Sequence, residues 1–188
     1  MVQTRCKGTN FRSFVTAFKR LRGNDAFERA LELLPPELGS GLRIGAIVSS
    51  AWYPLDWYDA LHVAVQKTCG EGPELSREIS RVGIQEDFRG VYRLVTVSLS
   101  PESIFKWAQR VVGLYYDSGR CIIEESVPGR VMGRFEGFNG FTRNLWEDMI
   151  GGSLGVMELA GAKKLTPRVL GGGGDGDGHM GLLMRWSV

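Results

Sequence analysis

RVLGGGGDGDGHMGLLMRW, Arg168 to Trp186, places apolar runs on both sides of a glycine-rich loop. Such a loop can cradle phosphate, bind calcium or simply turn the chain. A phosphate loop needs Gly-Lys-Ser/Thr followed by a helix, and neither is present. Asp175 and Asp177 resemble the start of a calcium loop. An EF-hand, however, needs more oxygen ligands and a late glutamate between helices. A glycine-rich calcium roll needs tandem copies, and this chain has one. No metal site is therefore expected from Asp175, Asp177 and His179. Glycines alternating with aspartates suit a solvated turn with positive φ. The stretch reads as a flexible hairpin connection between the last two strands.

Upstream, CIIEESV and RVMGRFEGF flank Pro128-Gly129, which predicts a second hairpin with a short turn. RNLWEDMIGGSLGVMELAGA, between the two hairpins, reads as a helix capped by Asn144 and stopped near Gly161. Pro167 marks KKLTPRVL as an edge or bulged strand. The C-terminal half is therefore β-β-α-β-β, with two hairpins joining into one antiparallel four-stranded sheet. Gly151, Gly152 and Gly155 lie inside the helix, where each glycine costs about 1 kcal/mol against alanine. They imply a close neighbour, either the sheet below or a second copy of the chain. Gly151 and Gly155 are the candidate interface residues for self-association.

The first two thirds carry helical spacing. Phe11, Phe14, Val15, Phe18 and Leu21 share a face that stops at Gly23. Asn24 opens a helix bearing Phe27, Ala30, Leu31 and Leu34, which ends before Pro35-Pro36. Pro54 and Pro73 start two more. DFRGVYRLVTVSL, residues 87–99, is ambiguous: its β-branched residues allow a strand, and its context favours a helix. Ser100-Pro101-Glu102 is a clear helix start. The expected fold class is α+β, a single domain over 1–188 with a helical part of about 8–113 and a sheet part of about 118–188.

Composition narrows the function classes. With 188 residues, 43% apolar and 23% charged, the chain can bury a globular core. The net charge of +2 comes from scattered Lys and Arg, so no nucleic-acid partner is indicated. The apolar run IGAIVSSAWYPL is too short to insert in a membrane, and no signal region is visible, so a cytoplasmic location is expected. Cys6, Cys69 and Cys121 are odd in number and far apart, which fits a reducing compartment and no cysteine metal knuckle. His62 and His179 are the only histidines, and no nucleophile or carboxylate pair forms a coherent catalytic set. No cofactor is called for by the residues themselves. Trp52, Tyr53, Trp57 and Tyr58 crowd into WYPLDWY. They form either a helix-junction cluster or, through Trp52 and Trp57, the wall of a cavity for an apolar ligand.

KGTNFRSF, LPPEL, WYPLDWYDALHVA, GVYRLVTVSLSPE, YYDSGR, GFTRNLWEDMIGG, ELAGA and GGGGDGDG together resemble a family of small proteins abundant in myxobacteria. That resemblance lends no activity. More distantly, helices followed by β-β-α-β-β with a glycine-bearing helix resemble the superfamily of heme nitric-oxide/oxygen-binding (H-NOX) domains, 4-vinyl-reductase domains and TRAPP subunits. The resemblance implies a domain that binds a hydrophobic ligand or a protein partner. H-NOX domains hold heme propionates with Tyr-x-Ser-x-Arg, which Tyr116, Ser118 and Arg120 spell here. Their axial histidine comes from a helix upstream of that motif, and here only His62 precedes it. The leading expectation is a non-enzymatic regulatory or scaffolding domain, self-associating and acting through a protein partner. The alternative is a sensor for a small hydrophobic ligand, with Tyr116, Ser118 and Arg120 receiving its carboxylate.

Overall fold

The computed structural model describes residues 4–89 and 100–187. A short strand β1 (Arg5–Lys7) leads into α1 (Gly8–Arg22), α2 (Asn24–Leu31) and α3 (Pro36–Arg43). Strand β2 (Trp52–Pro54) follows, then α4 (Leu55–Cys69), α5 (Glu74–Arg89) and α6 (Pro101–Tyr115). The C-terminal part is β3 (Arg120–Val127), β4 (Arg130–Glu136), α7 (Arg143–Leu159), β5 (Lys163–Gly172) and β6 (His179–Ser187). The fold is α+β, as the spacing predicts.

The two hairpins join through β4 and β6, giving an antiparallel sheet in the order β3-β4-β6-β5. The Pro128-Gly129 turn closes Val127 against Arg130, and Gly129 takes φ 78° there. Alternation buries Val131 and Phe135 of β4 with Met180, Leu182, Met184 and Trp186 of β6 on one face. Arg134 pairs with Glu124 and Glu136 on the other. Residues 87–89 of the ambiguous stretch belong to α5, and the rest of it lies outside the described residues. Ser100 caps α6, its hydroxyl accepting the Ser103 N–H at 3.3 Å.

Some local features differ from the sequence reading. Helix α3 and the β1–β2 pairing were not expected; the pairing joins Cys6 to Tyr53, far apart in sequence. Helix α7 is capped by Thr142, whose Oγ1 accepts the Leu145 N–H, while Asn144 lies inside the first turn. Its glycines do not meet the sheet. A Cβ on Gly151 would overlap the Arg77 carbonyl oxygen, and one on Gly155 would sit 2.5 Å from that of Arg81. Both carbonyls belong to α5, so the glycine face is filled within the chain. The interface expected at Gly151 and Gly155 is the α5–α7 seam, and it presents nothing to a second copy.

The glycine loop is also not a loose connection. Asp175 Oδ1 accepts the Arg143 N–H at 2.7 Å, at the first residue of α7. Asp177 Oδ2 accepts the Gly174 N–H at 2.9 Å, and its carbonyl takes the Trp146 indole N–H. The loop clasps the N-terminus of α7, where unpaired N–H groups and the helix dipole favour a carboxylate.

Candidate functional site

Helix α5 packs against both α1 and α7, and α6 closes over them beside β3 and β4. The helices leave a cavity of about 120 Å³ between them. Its apolar wall includes Phe14 of α1, Ile84 of α5, Val112 of α6, Phe135 of β4 and Met149 and Val156 of α7. Gly83 of α5 and Gly152 and Ser153 of α7 also line it; a Cβ on Gly83 would press on the Ser13 carbonyl of α1, so this glycine lets α1 and α5 pack closely beside the cavity.

One buried carboxyl forms its polar centre. Asp148 of α7 is buried, and Tyr58 of α4 donates to its Oδ1 at 3.0 Å. The Tyr116 hydroxyl approaches Oδ2 at 3.5 Å. Burial pushes the Asp148 carboxyl up to about 7, although hydroxyls of Tyr58, Ser80 and Tyr116 favour its charged form. Burial beside this carboxyl also drives both tyrosine hydroxyls well above their ordinary range. A second carboxyl, Asp87 of α5, lines the same cavity and is likewise raised by burial. Ser13 donates to it at 2.5 Å.

Behind Asp148 runs a polar chain. His62 lies against the rings of Phe14 and Tyr58, with centroids 4.2 and 4.5 Å away. Its Nδ1 is 2.8 Å from Ser76 Oγ, and Gln66 donates to the same oxygen at 2.9 Å. Gln66 also donates to Asn144, which donates to Asp59, which accepts from the α7 cap Thr142. His62 Nε2 has no hydrogen-bond partner, and burial lowers the imidazole to about 3.

The residues singled out by sequence divide. Tyr116 is buried and faces Asp148 in the cavity wall. Ser118 hydrogen-bonds Thr4 at 2.6 Å instead. Arg120 is 74% exposed and pairs with Glu136 across the β3–β4 register. Trp52 lies under the Lys7 ammonium, 4.0 Å from its ring centroid, and Trp57 stacks on Tyr53. Neither tryptophan lines the cavity. Asp148 was missed, although a signal existed: it lies on the apolar stripe of Leu145 and Gly152 at helical spacing.

Solved structures share this fold. An oxygen-binding H-NOX domain related to soluble guanylate cyclases matches with a TM-score of 0.71, over 97% of this chain and 95% of that one, at 14% identity. An Fe(II) unliganded H-NOX mutant from K. algicida matches at 0.73 over 97% of both chains, at 11% identity. A mutant H-NOX from T. tengcongensis matches at 0.71 over 97% and 98%, at 13% identity. The fold is H-NOX-like. No family model matches the sequence, and no curated protein is similar to it.

The H-NOX-like fold raises heme as a cofactor, and the residues present do not fit it. His62 is enclosed by Phe14, Tyr58 and Ser76 and does not line the cavity. His179, at the start of β6, is exposed. The segment GVYRLVTVSL, residues 90–99, contains no histidine, cysteine or methionine. Of the Tyr-Ser-Arg triplet only Tyr116 reaches the cavity, and it meets a carboxyl there. Two carboxyls in the wall would oppose propionates.

Proposed function

We propose that this chain is a small-molecule sensor domain whose ligand occupies the cavity between α1, α5, α6 and α7. The observation that carries this reading is the cavity itself: an apolar space in the helical layer, given a polar centre by Asp148. Apolar cavities with few convergent polar groups are the usual form of a ligand site. The fold supports it by analogy, since neighbours include an oxygen complex and a structure studied for its heme redox potential. The scaffold reading loses its main support because Gly151 and Gly155 are covered by α5. The reading is non-enzymatic: the carboxyls face an apolar wall, and among the described residues no cluster of histidine, cysteine and carboxylate side chains is placed to hold a metal ion. Among the described residues no helix is long and apolar enough to cross a membrane.

Native mass spectrometry of the purified chain, with a denatured control, tests this reading together with a titration by toluene followed by NMR. Retained mass that is lost on denaturation, or toluene shifts confined to residues around Met149 and Phe135, supports it. A bare polypeptide that also ignores toluene overturns it. Added hemin should give no Soret shift.

A further inference from the structure

The chemistry of the cavity wall selects among ligands, given the reading that the cavity is a ligand site. Its charged groups are two carboxyls, Asp148 and Asp87, set among hydroxyls that include Tyr58, Tyr116, Ser13 and Ser80 and one amide, Asn10, which donates to the Tyr115 carbonyl. No lysine, arginine or histidine is among the described residues that line it. The one cation acting on either carboxyl among the described residues is Arg12, which favours ionisation of Asp87 while its guanidinium bonds Ser49 at the surface.

The hydrogen-bond partners of Asp148 are all neutral hydroxyls. A carboxylate offers about four acceptor positions. The hydroxyls of Tyr58, at 3.0 Å, Tyr116, at 3.5 Å, and Ser80 take up to three of them. The neighbouring His62 Nε2 stops at 3.8 Å and makes no hydrogen bond. A ligand cation beside Asp148 would add the missing charge-assisted partner. A ligand carboxylate or phosphate would instead face two acidic groups in a largely apolar space.

Size limits the rest of the molecule. The cavity of about 120 Å³ approaches the roughly 150 Å³ of an engineered cavity that takes up benzene. We propose that the ligand is a compact primary amine built on about one ring, with its ammonium on Asp148 and its apolar body against Phe135, Met149 and Val156. This assigns the cavity a polarity opposite to the one implied by Arg120, which points to solvent.

Three isosteric probes on the full chain test this by calorimetry at pH 8: toluene, benzylamine and benzoate. Benzylamine should bind at least about tenfold more tightly than toluene, the worth of one hydrogen bond to a charged group. Benzoate should not bind detectably. In Asp148→Asn the amine preference should disappear while toluene still binds. Toluene binding equal to or better than benzylamine, or benzoate binding, overturns the amine assignment and leaves the sensor reading standing. An amine preference unchanged in Asp148→Asn overturns it too, since the amine is then held elsewhere. Failure of both toluene and benzylamine removes the ligand site itself. The probe comparison needs no variant, so it decides even if Asp148→Asn does not fold.

Discussion

His62 Nε2 stands 3.8 Å from Asp148 Oδ1, with both side chains buried. Ser76 Oγ accepts from Gln66 and lies 2.8 Å from His62 Nδ1. Burial opposes charge on both partners, raising Asp148 to about 7 and lowering His62 to about 3. Between about pH 3 and 7 the folded state holds a largely protonated carboxyl beside a largely neutral imidazole.

This pair predicts a pH profile. Asp148 rises from 3.8 to about 7, so its contribution to stability is full below pH 3.8 and is lost as pH rises through 7. His62 falls from 6.5 to about 3, so its contribution is full above pH 6.5 and is lost as pH falls through 3. Between about pH 4 and 6.5 the two slopes oppose and nearly cancel. Asp148→Asn should expose the histidine slope, losing up to about 1.4 kcal/mol per pH unit on acidification. His62→Gln should expose the opposite slope. Urea denaturation at several pH values measures both. The groups facing the pair are Tyr58, Ser80, Tyr116 and Cys6, with Asp87 on the same cavity; none of these is changed in either variant. Parallel profiles for wild type and both variants would contradict the assignment.

The α5–α7 seam predicts a contrast between neighbouring glycines. Alanine at Gly151 or Gly155 meets backbone carbonyls of α5 that cannot rotate away. Despite alanine's helix preference, each substitution should cost about 1–3 kcal/mol, as overpacking does. Gly152→Ala has its nearest contact at 3.5 Å, from the Ser80 hydroxyl. It should be stabilising by up to about 1 kcal/mol. Thermal denaturation reads all three, and size exclusion should show the same oligomeric state throughout. A change of assembly in Gly151→Ala with unaltered stability would restore the interface idea.

The glycine loop predicts a capping effect and no metal effect. Asp175→Ala removes the acceptor for the Arg143 N–H and should cost about 1 kcal/mol. Calcium or a chelator should leave the melting temperature unchanged, since Asp175 and Asp177 are spent on backbone N–H groups. A calcium-dependent rise in melting temperature, abolished in Asp175→Ala, would show the opposite.

Arg120→Ala should leave both folding and ligand retention unaltered. Its guanidinium lies at the surface on Glu136, where ion pairs contribute little. Native mass spectrometry of this variant checks the point directly. Loss of a retained ligand would place Arg120 back in the site.

Local signals carried much of the architecture. Pro128-Gly129 marked the first hairpin, Ser100-Pro101 marked the start of α6, and the alternation around GGGGDGDG marked the second hairpin. Such signals act within a few residues, where φ preference and missing N–H groups are decided by the neighbours themselves. The same sequence also fixed the shortage of histidine that excludes a second axial candidate. What only the tertiary structure decided is where distant groups meet. Tyr58 and Asp148 are 90 positions apart, yet share one hydrogen bond. The partner of Gly151 is an α5 carbonyl, and the use of Asp175 is an N–H on another element. Arg120 matched a local pattern but was drawn to Glu136 by the strand register. Burial and charge environment are long-range properties, so the polarity of the cavity emerged only when α1, α4, α5, α6 and α7 were packed around it.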